Sequence, residues 1–162
     1  MPSTYTPLAT TTLGSNAADI TFSSISSTYT DLILVFNGGT ARGSLDTFSF
    51  RVNGDTGSNY SYTRIYADGS TVYSDRASST SAGQIGNLST SLTTNAIVHF
   101  MNYSNTTTNK TVLSRNNLPA NYVFSEVSLW RSTAAINSIK IYSVSADLLS
   151  GSTATLYGVK SA

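Results

Sequence analysis

The chain is short of several residue types that would otherwise suggest a function. Its 162 residues include no cysteine, three prolines, one histidine and one glutamate, and only 10% of them are charged. The absence of cysteine excludes disulfide bonds and thiolate metal sites. Because the net charge is only +1, we expect no basic surface of the kind that binds nucleic acid or an anionic membrane.

Long apolar segments are also missing. No stretch approaches the roughly 18 apolar residues that suggest a membrane-spanning helix. Residues 1–12 contain no basic region followed by an apolar run, so we expect no secretory signal. The chain is long enough to bury a core without disulfides or metals, and no repeat or change of composition divides it. We therefore predict one domain over residues 1–162.

Short alternating segments fill the chain instead. Serine and threonine are abundant, and they suit strands and turns better than helices. Turn signals separate the alternating segments at the spacing that is typical of antiparallel sandwiches. We predict an all-β fold, an antiparallel, jelly-roll-like sandwich of two sheets with about eight to ten strands. Residues 32–36 predict a central strand, and the polar residues 75–81 predict a mobile loop.

The most regular pattern lies in residues 46–69. Apolar residues alternate with polar ones over residues 48–52, and a run of turn-forming residues follows at 53–59. The pattern predicts a β-hairpin or two strands that cross between the sheets. After the turn, alternation resumes with one face formed by Tyr60, Tyr62, Arg64 and Tyr66.

This row of tyrosines is the strongest binding candidate in the sequence. Aromatic side chains are enriched at subunit interfaces and pack well in cores, and they can also stack on sugar rings. A subunit interface and packing within the chain's own sandwich are equally favoured, and sugar binding ranks third. Trp130 and Arg131 have the same alternatives, with a core or interface anchor favoured over a ligand platform.

Patterns for catalysis or metal binding are weak. His99 lies in an apolar run without a nucleophile motif nearby, which favours a partly buried histidine with a satisfied ring nitrogen. Glu126 lies in the middle of a strand, where exposure or pairing with arginine is favoured over catalysis. Asn53, Asp55 and Asn59 form a weak calcium candidate, because their loop lacks further acidic residues. We predict no enzymatic activity, no cofactor and no dedicated metal site.

Four longer segments carry a resemblance to a known group of proteins. They span residues 21–37, 50–70, 129–143 and 148–160, and read TFSSISSTYTDLILVFN, FRVNGDTGSNYSYTRIYADGS, LWRSTAAINSIKIYS and LLSGSTATLYGVK. These segments resemble small proteins encoded in the virion-gene regions of tailed bacteriophages, including cyanophages, and the terminal parts of some tail fibres. The resemblance covers nearly the whole chain. It implies a virion component that is made in the host cytoplasm, and it brings no catalytic residues.

Two virion functions follow as hypotheses. The first is a capsid decoration protein, of the cement or head-fibre kind, that binds the assembled shell as a homotrimer through apolar strand faces and tyrosines. The alternative is a tail or baseplate protein that recognises host surface glycans. A glycan-active enzyme is the least favoured, because histidine and glutamate are so scarce. The expected partners are other virion proteins, such as the major capsid protein or tail proteins.

Overall fold

The structure, a computed structural model, describes residues 4–119 and 122–160. Within these residues all regular secondary structure is β, in twelve strands, so that no helix is present that could span a membrane. The all-β prediction is therefore confirmed, with slightly more strands than expected. The strands are β1 (Tyr5–Thr12), β2 (Ile20–Phe22), β3 (Asp31–Gly38), β4 (Asp46–Val52), β5 (Tyr60–Ala67), β6 (Val72–Thr80), β7 (Gly83–Leu88), β8 (Thr94–Phe100), β9 (Lys110–Leu118), β10 (Tyr122–Trp130), β11 (Ile139–Ser143) and β12 (Thr153–Val159).

The strands form two antiparallel sheets that pack face to face. The large sheet has eight strands in the order β1-β12-β3-β8-β9-β10-β5-β6, and the small sheet has four in the order β2-β11-β4-β7. This arrangement confirms the predicted two-sheet sandwich. Because β4 belongs to the small sheet and β5 to the large one, residues 46–69 cross between the sheets and do not form a hairpin. The predicted central strand is β3, which lies between β12 and β8.

The core lies between the two sheets and follows the alternation of the sequence. On β3, Leu32, Leu34 and Phe36 are buried, and β4 contributes Phe48 and Phe50 from the opposite side. Successive strand residues point to opposite faces, so one face of each strand enters this core. We call the core-side face of the large sheet its inner face, and the opposite side its outer face.

Polar side chains of the large sheet close one corner of the sandwich. Strand β7 is an edge strand of the small sheet and packs mainly against β9 and β10. The Ser128 hydroxyl accepts a hydrogen bond from the Gln84 amide and donates one to the Gln84 carbonyl, both at 3.1 Å. The Ser114 hydroxyl donates a hydrogen bond to the Ile85 carbonyl at 3.0 Å. The side-chain amide of Asn116 donates one to the backbone carbonyl of Asn87 at 2.6 Å. Strands β5 and β6 follow β10 in the large sheet, so they extend past this edge.

The polar segment at residues 75–81 differs from its prediction. It was expected to be a mobile loop, but most of it belongs to β6, which pairs with β5. Strand β6 is the edge of the large sheet and is largely exposed. An exposed edge strand needs no apolar face, and serine and threonine suit strands. The low hydrophobicity of this segment therefore concealed its strand.

Candidate functional site

An aromatic cluster covers the inner face of the large sheet where β5 and β6 extend past β7. We call it the tyrosine ledge; its side chains are Tyr62, Tyr66, Tyr73, Tyr122 and Phe124. The Tyr66 ring stacks on Tyr73 of β6, with 5.0 Å between ring centroids, and on Phe124 of β10, with 5.3 Å. Because these neighbours lie on opposite sides of Tyr66, both faces of its ring are occupied. A sugar ring therefore cannot stack on Tyr66 in this arrangement.

The row that the sequence predicted divides between two environments. Tyr62, Arg64 and Tyr66 lie on the same face, as expected, and remain partly accessible. Tyr60 is instead fully buried in the core, where its hydroxyl accepts a hydrogen bond from the Val52 amide at 3.1 Å. Burial raises the pKa of Tyr60 to about 12. Alternation alone could not separate Tyr60 from the others, because the same strand face continues from the core into the ledge.

Three ionisable residues lie on adjacent strands beside the ledge, on the same face of the sheet. The Arg64 guanidinium donates two hydrogen bonds to the Asp75 carboxylate, each at 2.7 Å. Glu126 is the direct cross-strand neighbour of Arg64 and is only 1% exposed. Neither carboxylate oxygen of Glu126 has a hydrogen-bond partner, and neither has Arg64 Nη1. Burial raises the pKa of Glu126 to about 8, although Arg64 opposes the shift. Burial without a hydrogen-bond partner therefore favours the protonated form of Glu126.

The loop between β4 and β5 holds its polar groups in internal hydrogen bonds. The Asp55 carboxylate accepts hydrogen bonds from the indole of Trp130 at 2.6 Å, from the side chain of Asn59 at 2.9 Å and from the Gly57 amide at 2.8 Å. The bonds from Trp130 and Asn59 lower the pKa of Asp55. The Asn53 side chain is engaged separately, by residues 135–138.

These contacts account for the remaining residues that the sequence singled out. Trp130 is buried and anchors the loop, whereas Arg131 is exposed. The weak calcium candidates Asn53, Asp55 and Asn59 already use side-chain polar atoms in hydrogen bonds, Asp55 and Asn59 with each other and Asn53 with residues 135–138. Among residues 4–119 and 122–160, no group of three or more His, Cys, Asp or Glu side chains could hold a metal ion.

Exposed aliphatic side chains cover the outer face of the large sheet. They are 39–71% exposed and comprise Val35, Ile65, Val72, Ile97, Leu113, Val123 and Val127. They lie on adjacent strands, and the shallow depressions of this face include two of about 630 and 560 Å³. Clustered exposed apolar residues mark interaction surfaces, whereas scattered ones are ordinary. The signal in the sequence was the run at residues 32–36, which is apolar on both faces of its strand.

The charges on the outer face are unevenly distributed. Arg115 and Arg76 are exposed there, and neither has an ion-pair partner in the described part of the chain. The Asp31 carboxylate lies 2.8 Å from His99 Nε2 and accepts a hydrogen bond from the Asn102 amide at 2.6 Å. This contact confirms the prediction of a partly buried histidine with a satisfied ring nitrogen. The outer face thus combines exposed aliphatic side chains with unpaired positive charge.

Comparisons with known proteins add little to this geometry. No protein-family model matches the sequence, and no curated protein matches it. One similar solved structure is an alginate lyase in complex with an alginate tetrasaccharide, at 11% sequence identity and a TM-score of 0.33, covering 94% of this chain and 79% of that one. A similarity this distant says nothing about the activity of this chain.

Proposed function

We propose that this protein is a structural component of a bacteriophage virion and that it binds another virion protein through the outer face of its large sheet. The exposed aliphatic side chains on adjacent strands of that face are the observation that supports this proposal. Burying apolar surface contributes about 25 cal/mol per Å². A specific interface covers about 800 Å² on each partner, and an eight-stranded sheet offers a broad surface for such a contact.

The assignment to a virion depends on the resemblance of the four sequence segments to phage proteins. Among the virion functions, the geometry favours capsid decoration. A broad sheet face with exposed aliphatic side chains suits attachment to a preassembled protein surface. We propose a capsid decoration protein that attaches to the shell as a homotrimer, because repeated symmetric sites on a lattice favour symmetric oligomers.

We also propose that the protein is not an enzyme. A general acid must reach its substrate, whereas Glu126 is buried and only 1% exposed. The neighbouring carboxylate, Asp75, is held by two hydrogen bonds from Arg64. His99 is held by Asp31, and its strand supplies no adjacent nucleophile.

Cryo-electron microscopy of intact virions, with this chain located in the density, tests the proposal. We expect density on the capsid lattice, with the outer face of the large sheet against major capsid subunits. Density at the tail tip would favour the alternative function. Virions that lack the chain altogether would contradict the virion proposal.

The alternative is a tail or baseplate protein that recognises host surface glycans through the tyrosine ledge. Tyr73 favours it, because this exposed tyrosine lies on the edge strand β6 with only one side of its ring stacked on Tyr66. A glycan-binding assay with host polysaccharide tests this function. We expect Tyr73→Ala and Tyr62→Ala to weaken binding. Equal binding by both variants and the unmodified protein would argue against it.

A further inference from the structure

Arg115 lies at the centre of the outer face. Its neighbours across the sheet are Ile97 on β8 and Ser125 on β10. It lines both shallow depressions, so it stands between them. Its guanidinium is exposed and has no hydrogen-bond or ion-pair partner among residues 4–119 and 122–160. A charged group with five unused donors therefore stands among the exposed aliphatic side chains of this face.

A partner that covers the aliphatic side chains of this face must also cover Arg115. Burying a charged group without a counter-ion is strongly unfavourable. A carboxylate relieves this cost best, because it can accept two parallel hydrogen bonds from a guanidinium. The surface complementary to the outer face is therefore apolar and carries a carboxylate.

A second copy of the same face does not meet this requirement. In a two-fold contact the same patch lies on both subunits. The patch contributes Arg115 and Arg76 as cations, and its carboxylate, Asp31, is already engaged by His99 and the Asn102 amide. Two such faces would bring cations together without a free carboxylate between them.

We infer that the outer face binds an apolar polypeptide segment of a different protein, and that a carboxylate of this segment pairs with Arg115. The inference rests on the proposed function, because it specifies the partner chemistry of the same surface. The two depressions beside Arg115 accommodate aliphatic side chains on each side of the acidic residue.

Titration of the isotope-labelled full-length chain with a synthetic peptide, followed by NMR, tests the inference. The probe is acetyl-Leu-Val-Asp-Val-Leu-amide, and the matched probe has asparagine in place of aspartate. We expect amide signals at Ile65, Arg115 and Val123 to shift, with at least about fivefold tighter binding of the aspartate peptide. Arg115→Glu should weaken that binding at least about tenfold. Arg131→Glu makes the same charge change at another exposed arginine and should leave it unchanged.

Several results would overturn the inference: equal affinity for the two peptides, no shift with either peptide, or shifts confined to other surfaces. Concentration-dependent shifts of the same signals without peptide would identify a second copy as the occupant and would also overturn it. A failure of the proposed function can be distinguished from a failure of the inference. The proposed function is tested by locating the chain in virions, and the inference is tested by peptide binding. A chain located on the capsid that shows no preference for the aspartate peptide would contradict only the inference.

Discussion

At the scale of single residues, Glu126 is an ionisable side chain in an unfavourable environment. It is buried with both carboxylate oxygens unbonded, next to an arginine that is already committed to Asp75. Its pKa is raised from 4.5 to about 8. A carboxyl group that keeps its proton only when folded makes the folded state less stable as the pH rises between these two values.

Replacing this group gives the first prediction. Relative to Glu126→Gln, the unmodified chain should lose free energy of unfolding as the pH rises from about 5 to about 8, by up to about 1.4 kcal/mol per pH unit. The unfolded chain releases the proton in this range, while the folded chain still binds it. Urea denaturation of both proteins across the range measures the difference. Parallel curves would show that Glu126 ionises normally in the folded protein.

Asp46 illustrates the opposite case of a buried carboxylate with full hydrogen bonding. Burial on its own raises the pKa of Asp46, but hydrogen bonds from Ser143 and Ser145 more than offset this effect, so the net shift is downward. The Ser143 hydroxyl donates at 2.6 Å and the Ser145 amide at 2.8 Å. A lowered pKa stabilises the fold above the pKa of the unfolded chain, and this contribution disappears as the pH falls through the folded value.

The second prediction concerns this residue. Asp46→Asn should reduce the free energy of unfolding at pH 7 by about 1–3 kcal/mol, because hydrogen bonds to a charged acceptor are lost. The difference between the two proteins should shrink in acid, where the native carboxylate is protonated. Chemical denaturation at neutral and acidic pH measures both effects. Asp147→Asn, at an exposed position, is the control and should change little; a pH-independent difference would rule out the ionised carboxylate as the cause.

At the scale of elements, strand β7 depends on a glycine. The pairing of β7 with β4 shifts register next to Gly86, which has a φ of +142°. This is a β-bulge in a backbone conformation that side chains rarely adopt. A Cβ atom at Gly86 would lie 2.1 Å from the side-chain oxygen of Asn116. Asn116 is one of the residues that hold β7 against the large sheet.

Gly86→Ala therefore supplies the third prediction. We expect a loss of about 2–4 kcal/mol, since the substitution combines backbone strain with displacement of Asn116. Thermal and urea unfolding measure the loss. Gly43→Ala is the matched control, because no atom lies within 4 Å of the Cβ position at Gly43. Equal stability of the two variants would mean that β7 tolerates a side chain at the bulge.

At the scale of the whole molecule, the fourth prediction separates folding from assembly. Val123 is 61% exposed on the outer face, so Val123→Asp should leave the thermal stability of the isolated chain nearly unchanged. If the proposed function is correct, Val123→Asp should abolish attachment to purified capsids that lack the chain, because the added charge would be buried at the interface. Co-sedimentation with such capsids measures attachment. Thr90→Asp, at an exposed loop position, is the control; equal attachment of both variants would place the interface elsewhere.

Residue patterns in the sequence predicted more of the fold than of the candidate site. Alternation identified the face of β4 that enters the core, because burial on one side of a strand imposes a period of two. Residues 32–36 are apolar on both faces, so the pattern predicted a central strand without distinguishing the sides of β3. The same rule failed for β6, which is an exposed edge strand. Tyr60 and Tyr66 share one pattern, yet one belongs to the core and the other to the ledge. Tyr60 contacts Phe50 and the Val52 amide of β4 across the sandwich, whereas Tyr66 stacks on Tyr73 and Phe124, and these neighbours are not a local property of β5.

The sequence by itself determined the all-β class, the antiparallel sandwich and the inward side of β4 and β11, because these follow from local alternation and turn chemistry. Only the tertiary structure decided that residues 46–69 connect two sheets, that Glu126 is buried without a hydrogen-bond partner and that the aliphatic side chains of the outer face are exposed. The reason is physical. Alternation records that a strand has an apolar side, but the neighbour that covers that side comes from distant strands, and on the outer face this chain supplies none among its described residues.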